Sequence, residues 1–111
     1  MDKRTSRWTL ALGAALCVCA AAAHAQSDAF PFGNPRIGQK LYAAKCAACH
    51  VSRFGGDGSR VFTRPDHRIH TTSGLFAQVQ ACNDRSHAGL SAADEESVAA
   101  WLNQAYYKLK K

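Results

Sequence analysis

The clearest alternation of hydrophobic and polar positions lies near the carboxyl end of the chain. Val98, Trp101, Leu102 and Ala105 repeat at intervals of three and four residues, so they share one helix face and are expected to be buried. Ser91 precedes them and has an aspartate three residues later, which is a variant of the capping box that begins helices. Acidic residues in the first turn and lysines at the far end suit the helix dipole. The pattern predicts a helix that starts after Ser91.

A second helix is predicted before the middle of the chain. Asn34 followed by Pro35 is typical of a helix start, with asparagine as the N-cap and proline in the first turn. The helix is expected to cover about residues 35–47. Its expected inner positions are Ile37, Gly38, Leu41, Tyr42 and the aliphatic part of Lys45.

The middle of the chain is less regular. Residues 51–65 show no clear periodicity and contain a glycine-rich stretch, so they are expected to form turns and loops. Threonine and serine at positions 71–73 can cap a helix over about residues 74–81. Its apolar members are Leu75, Phe76 and Val79. Because no segment shows useful strand alternation, the predicted fold class is all-α.

The amino-terminal segment has the layout of a secretory signal peptide. Lys3, Arg4 and Arg7 precede an apolar stretch, and Ala23-His24-Ala25 forms a small-x-small cleavage site. The stretch is short for a transmembrane helix and no stop-transfer pattern follows it. We therefore expect cleavage, export to the periplasm and no stable insertion in the membrane. The predicted parts are a signal peptide at 1–25, an extended leader at 26–34 and one domain at 35–111.

Composition indicates one small and moderately basic domain. Cleavage after Ala25 leaves about 86 residues, which is enough for a single domain with a limited core. Cleavage also removes three basic residues and Asp2, so the formal net charge falls from +6 to +4. This charge suits docking to an acidic protein or an anionic membrane surface. The basic residues are dispersed and match no nucleic-acid-binding motif, so we expect no nucleic-acid partner.

The segment Cys46-Ala47-Ala48-Cys49-His50 carries the most specific chemistry. C-x-x-C-H is the pattern of covalent c-type haem attachment. Two thiols at this spacing can form thioethers with the vinyl groups of one haem, and His50 can offer its imidazole to the iron. A thioredoxin-like redox pair would need a βαβ pattern, and a zinc site would need a second ligand pair at suitable spacing. The sequence provides neither, so we expect one haem c, with its iron, per chain.

Residues outside this motif extend the pattern. The spacing G-x3-aromatic-x3-C-x2-C-H is formed by Gly38, Tyr42, Cys46, Cys49 and His50. Together with Trp101 on the last helix, it resembles class I mono-haem c-type cytochromes over about residues 35–107. The resemblance implies a class I cytochrome c fold, with about three to four short helices around one covalent haem. It also implies one-electron transfer, a crossing of the first and last helices at Gly38, and packing of Tyr42 and Trp101 at the haem pocket.

Class I cytochromes usually place a methionine at the sixth position of the iron, and this sequence has no candidate for it. The only methionine is Met1, in the predicted signal peptide. By chemistry alone His87 is the better ligand, because imidazole binds both ferric and ferrous iron. The stretch around Asn83 instead resembles the sphaeroides haem protein type, which implies an asparagine ligand that leaves the iron on reduction. Asn83 is the tentative sixth ligand, His87 is the alternative, and an open site is a third option.

Further residues near the expected haem have weaker assignments. In the sphaeroides type a second loop cysteine is present where Leu90 stands here, so Cys82 has no evident disulfide partner. His67 and His70 are expected to be exposed or hydrogen-bonded to a haem propionate rather than bound to iron. One arginine of the region after the motif could also reach a propionate; the candidates are Arg53, Arg60 and Arg64.

Two classes of function fit these features. The first is a periplasmic electron carrier between redox proteins, for which a multihaem cytochrome or a membrane b-type cytochrome is a candidate partner. The second is a high-spin haem protein that binds or reduces a diatomic ligand such as oxygen or nitric oxide at a labile sixth site. The first is the primary expectation. An enzyme with a dedicated active site is not expected, because the chain is short and shows no acid–base constellation.

Overall fold

The structure, a computed structural model, describes Gly13 and residues 29–111. The predicted signal peptide lies outside the described residues apart from Gly13, and its cleavage stays a prediction. The described residues contain five α-helices and a π-helix, with no strand. Their bounds are α1 Pro35–Lys45, α2 Ala47–Phe54, α3 Arg60–Thr63, α4 Thr72–Ser86, α5 Ala92–Leu102 and the π-helix Asn103–Tyr107. The all-α prediction is confirmed.

The helix starts that the sequence predicted are present. Asn34 Oδ1 accepts hydrogen bonds from the backbone N–H groups of Arg36 and Ile37, at 3.0 and 3.3 Å. Ser91 Oγ accepts from the Asp94 N–H at 3.1 Å, and Asp94 Oδ2 accepts from the Ser91 N–H at 3.3 Å. Both caps satisfy N–H groups that a helix leaves without partners, so they fix where α1 and α5 begin.

Helix α2 and the length of α4 differ from the predictions. Residues 51–54 were expected to turn, but they continue α2 to Phe54. This helix has no fully buried residue, although Ala47, Val51 and Phe54 follow the spacing of one helix face, a pattern that the sequence analysis did not identify. α4 was expected over 74–81 and instead starts at Thr72, after a Thr71 cap. It continues to Ser86 through polar, exposed positions and ends where His87 takes a left-handed conformation (φ 52°).

The crossing of α1 and α5 forms the centre of the fold. Gly38 lies against the backbone of α5, where a Cβ would overlap the Ser97 carbonyl and come within 2.9 Å of Val98 N. The crossing at Gly38 is therefore as predicted. Two other expected inner positions of α1 are wrong: Ile37 is 47% exposed and Lys45 is exposed. Ile37 lies off the face that contains the buried Gly38 and Tyr42. Lys45 shares that face, but it is the last residue of α1 and lines the cavity instead of packing against α5.

The stripe predicted for the last helix is correct as far as Leu102 and wrong at Ala105. Val98 and Leu102 are buried and Trp101 is half-buried, but Ala105 is exposed. The chain passes into the π-helix after Leu102, and this wider turn changes which side chains face inward. Tyr106 and Tyr107 pack on the core in place of Ala105.

The end of the expected leader packs against α5. Phe30 is buried, and a Cβ at Gly33 would lie 2.6 Å from the Glu96 carbonyl oxygen. The Asn34 N–H donates to Ser97 Oγ at 3.1 Å. Residues 29–32 form a turn instead of an extended strand, because the buried Phe30 draws them onto the helix. Across residues 29–111, no helix has the length and apolar character needed to cross a membrane.

Candidate functional site

The C-x-x-C-H segment lies at the junction of α1 and α2. Cys46 lies between the two helices, and α2 contains both Cys49 and His50. Both cysteines are free; Cys46 is half-buried, which raises the pKa of its thiol, and Cys49 is exposed. All three side chains line the same cavity. The structure thus brings together the three residues that the motif singled out.

His50 lies in a cage of aromatic rings. Its ring centroid is 5.6 Å from that of Tyr42, 5.5 Å from that of Phe54 and 5.1 Å from that of Phe62. These contacts come from three different helices and restrict the orientation of the imidazole. Nδ1 of His50 is buried and has no hydrogen-bond partner, which leaves Nε2 as the nitrogen available to a metal.

The glycine-rich loop after α2 packs against His50. Gly58 has φ +83°, and a Cβ there would lie 2.8 Å from Val51 N and 2.9 Å from His50 Cβ, so this approach requires glycine. Burial lowers the pKa of His50, and the Gly58 carbonyl partly opposes this, although it makes no hydrogen bond of good geometry with Nδ1. A lowered pKa keeps the imidazole neutral, which is the form that binds a metal.

A cavity of about 460 Å³ opens beside these residues. Its volume lies within the roughly 300–1,000 Å³ that is common for cofactor sites. Buried side chains of α3, α4 and α5 line it, and α4 also contributes Gln78, Cys82 and Asn83. The apolar lining is made mainly by Phe62, Ile69, Leu75, Val79, Val98 and Leu102.

The two aromatic residues predicted to pack at a haem occupy different positions. Tyr42 lines the cavity and is buried, which raises the pKa of its hydroxyl far above the usual value. Trp101 lies outside the cavity lining and packs on the Tyr42 ring, with 4.9 Å between centroids. Trp101 therefore packs against Tyr42 without lining the cavity itself.

Phe62 is central to the site, and the sequence analysis did not identify it. It is buried on the four-residue helix α3 and lines the cavity. Its ring contacts those of Tyr42, His50, Tyr106 and Tyr107 at centroid distances of 5.9, 5.1, 5.2 and 6.0 Å. An isolated large aromatic residue in a polar stretch was the only sequence signal for it.

Asn83 lines the cavity from α4, but both ends of its amide bind the following loop. Its Nδ2 donates to the Leu90 carbonyl and its Oδ1 accepts from the Leu90 N–H, each at 3.0 Å. Asn103 binds the backbone of Leu109 in the same way, at 2.9 and 2.7 Å. In both cases the helix ends at a residue in the left-handed conformation, His87 or Lys108, and the amide holds the turn that follows. Asn83 is thus a loop clamp in this structure, and its role as sixth ligand stays a prediction.

The structure does not bring His87 to the cavity. His87 is the left-handed residue after α4, is exposed, and lines a separate surface pocket together with Asp84 and Gly89. Cys82 does line the main cavity. Its Sγ accepts hydrogen bonds from Gln78 Nε2 at 3.2 Å and from an Arg85 guanidinium nitrogen at 3.6 Å.

Replacing Asn83 with alanine is expected to lower the free energy of unfolding by about 1–3 kcal/mol, because the Leu90 N–H and carbonyl both lose their partner. Chemical unfolding followed by far-ultraviolet circular dichroism measures this loss. Asp84→Ala is the control, since Asp84 is the exposed neighbour on the same helix and its loss should stay within about 0.5 kcal/mol. Equal stability of the two variants would contradict the clamp. An unchanged ferric spectrum in Asn83→Ala would rule out Asn83 as an iron ligand.

His67 lies in the cavity lining, while His70 does not. The two rings are 5.0 Å apart, and the His67 ring packs edge-on against Tyr107 at 5.6 Å. Nδ1 of His67 is buried without a hydrogen-bond partner, like that of His50. The sequence analysis gave His67 and His70 equal weight, because nothing in their spacing distinguishes the residue that faces inward.

The charged residues of the cavity lining are all basic. No aspartate or glutamate lines it, and its basic residues come from α1, α2, α4 and the segment between α3 and α4. They are Lys45, Arg53, Arg64, Arg68 and Arg85. Of the three arginines proposed to reach a propionate, Arg53 and Arg64 line the cavity and Arg60 does not. Such a lining favours a ligand that is apolar in bulk and carries negative groups.

A haem fits this donor set: two free thiols and a neutral imidazole on one wall, an apolar cavity of suitable volume, and basic side chains around it. The fold and site together define a c-type cytochrome domain. The model of the family described as "Cytochrome C oxidase, cbb3-type, subunit III" matches residues 33–102, which is more than half of the chain, and the chain belongs to this family. No curated protein and no solved structure matches it. A domain of this kind holds haem covalently and transfers electrons through it.

Proposed function

We propose that the chain is a periplasmic electron carrier that holds one haem c and uses no methionine as the sixth iron ligand. The observation that carries the proposal is the placement of Cys46, Cys49 and His50 on one wall of a single apolar cavity. In this arrangement Cys46 and Cys49 would hold the haem through thioethers, and His50 would offer Nε2 to the iron. Bound there, the haem supplies a one-electron couple. The missing methionine follows from the composition, because Met1 belongs to the predicted signal peptide.

The chain's own residues set the conditions for this couple. The aromatic cage of Tyr42, Phe54 and Phe62 holds the imidazole of His50 in one orientation. The apolar lining excludes water from one side of the cavity, which limits the reorganisation that accompanies a change of charge. Cys49 lines the cavity and is exposed, so a partner protein can approach the cofactor there.

The proposed partner is another redox protein with an acidic docking face. The basic residues of the cavity lining give the face around the cofactor a positive sign, and opposite charges steer the encounter of two proteins. Multihaem and membrane b-type cytochromes are the candidate donors. Asn83 is retained as the tentative sixth ligand; its ligation would require the amide oxygen to bind iron beside or instead of the Leu90 N–H.

The test is expression of the full chain in cells that mature c-type cytochromes, followed by mass spectrometry and spectroscopy of the periplasmic fraction. The expected mass is that of residues 26–111 plus one haem, and the expected spectrum changes reversibly with dithionite. Colourless protein, or a mass without haem, would overturn the proposal. Rapid binding of carbon monoxide by a high-spin ferrous form would overturn the carrier function and would favour the binding of a diatomic ligand as the function. A low-spin spectrum that ignores carbon monoxide in both oxidation states would support electron transfer alone.

A further inference from the structure

The segment between α3 and α4 places three basic side chains on one edge of the cavity. They are Arg64, His67 and Arg68, which we name the basic corner. The His67 N–H donates to the Arg64 carbonyl at 3.1 Å, so the backbone turns back on itself here. Through this turn residues 64, 67 and 68 all line the cavity.

Tyr107 of the π-helix contacts both the basic corner and the core. Its ring meets the His67 ring edge-on, with centroids 5.6 Å apart, and also contacts Phe62. Burial raises the pKa of the Tyr107 hydroxyl, and the positive charge of Arg64 opposes that rise. Arg64 and His67 are therefore both close to Tyr107, which also lines the cavity.

The corner lacks acceptors for its donors. Buried Nδ1 of His67 has no partner, and a buried polar group without one is costly and calls for an explanation. Within residues 29–111, Arg68 makes no ion pair and no side-chain hydrogen bond. Arg64 Nε pairs with Asp66 at 3.5 Å, but both side chains are largely exposed and this leaves the other guanidinium donors free. Neither Asp66 nor any other acidic residue lines the cavity.

We propose that the basic corner is the binding site for the two carboxylates of the haem, with hydrogen bonding by His67 and ion pairing by Arg64 and Arg68. The inference rests on the proposed function, since it requires a haem in the cavity. A carboxylate supplies the acceptor that His67 lacks, and a guanidinium matches its two oxygens with parallel N–H groups. The charges of the corner also favour the reduced form of the cofactor, because reduction lowers its net charge by one. The corner thus contributes to the midpoint potential.

The test compares midpoint potentials and redox-difference infrared spectra of haem-loaded variants. Arg64→Gln/Arg68→Gln is expected to shift the equilibrium between ferric and ferrous forms about tenfold toward the ferric form, which lowers the potential by about 59 mV for one electron. His67→Phe keeps a ring against Tyr107 but removes the donor, and it is expected to shift the carboxylate bands. Arg60→Gln is the control for each Arg→Gln change: it removes one positive charge from an exposed residue outside the cavity, and its shift should be small.

Each outcome bears on a different claim. A wild-type chain without haem overturns the proposed function and the corner with it. Haem-loaded protein in which the double variant and His67→Phe match Arg60→Gln, in both potential and carboxylate bands, overturns the corner alone. If the double variant fails to fold, Arg68→Gln and Arg68→Lys decide the question singly. Arg68→Lys should keep most of the potential while shifting the carboxylate bands, because it retains the charge without the planar pair of donors.

Discussion

Haem-free protein is the expected product when Cys46 and Cys49 are both replaced by alanine. On the proposed attachment each thiol forms one thioether, so the double variant has no covalent link left. The haem then depends on one imidazole and on the cavity. Mass spectrometry of the denatured protein measures the loss directly, because only covalently attached haem remains with the polypeptide. Each single variant is expected to keep one link and to accumulate less than the wild type.

The loss of haem is expected to unfold the domain as well. At about 24 cal/mol per Å³ of empty volume, a cavity of about 460 Å³ would cost about 11 kcal/mol if it neither collapsed nor filled with water. A domain of this size is stable by only about 5–15 kcal/mol in total. Collapse and hydration reduce the actual cost, but they also disrupt the packing around Phe62 and Leu75. We expect weak helical circular dichroism and rapid proteolysis of the double variant.

Cys82→Ala is the control for this experiment. It removes the third free cysteine of residues 29–111, which lines the same cavity from α4. This variant changes the cavity by one sulfur atom and leaves the C-x-x-C-H segment intact, so full haem content is expected. Covalent haem that survives in the Cys46→Ala/Cys49→Ala protein would show that attachment occurs elsewhere. Loss of haem in Cys82→Ala alone would show the same.

The features that could be predicted from the sequence are those that depend on residues close together along the chain. Asn34 and Ser91 mark helix starts because a cap depends on hydrogen bonds to N–H groups two or three residues away. The C-x-x-C-H motif is recognisable for a similar reason, since its chemistry is contained in five consecutive residues. α2 was not predicted because it is only eight residues long and has no fully buried residue, so its short apolar face gives a weak signal.

The part of the cavity lining outside the C-x-x-C-H segment depends on contacts that sequence spacing does not reveal. The amide of Asn83 is engaged by Leu90, seven residues later, through backbone groups that any residue carries. The turn at residues 64–67 directs His67 inward and leaves His70 outside. The π-helix moves Ala105 out and Tyr107 in, although the repeat of apolar residues continues through Ala105. These features arise from tertiary packing, which overrides the local pattern.

Gly38→Ala is expected to destabilise the haem-loaded protein by more than about 3 kcal/mol, at or above the upper end of ordinary overpacking costs. A Cβ at this position overlaps the Ser97 carbonyl and lies 2.9 Å from Val98 N, so it meets backbone that no side-chain rotation can move. α1 and α5 would have to separate at their crossing. That separation would also displace Tyr42 from Trp101 and from His50, which connects the crossing to the cofactor site. Thermal unfolding monitored by circular dichroism measures the loss.

Gly74→Ala provides the matched comparison, because it makes the same change in another helix. The atom nearest to a Cβ at Gly74 is the Thr71 hydroxyl oxygen, at 3.0 Å, and this side chain can rotate by a small amount. Alanine is also a better helix former than glycine by about 1 kcal/mol. The two effects nearly cancel, so we expect a change within about 1 kcal/mol. Because both variants lose the same flexibility of the unfolded chain, the difference between them isolates the helix crossing. Similar unfolding temperatures for the two would mean that α1 and α5 can move apart at little cost, and that the crossing does not fix the position of Tyr42.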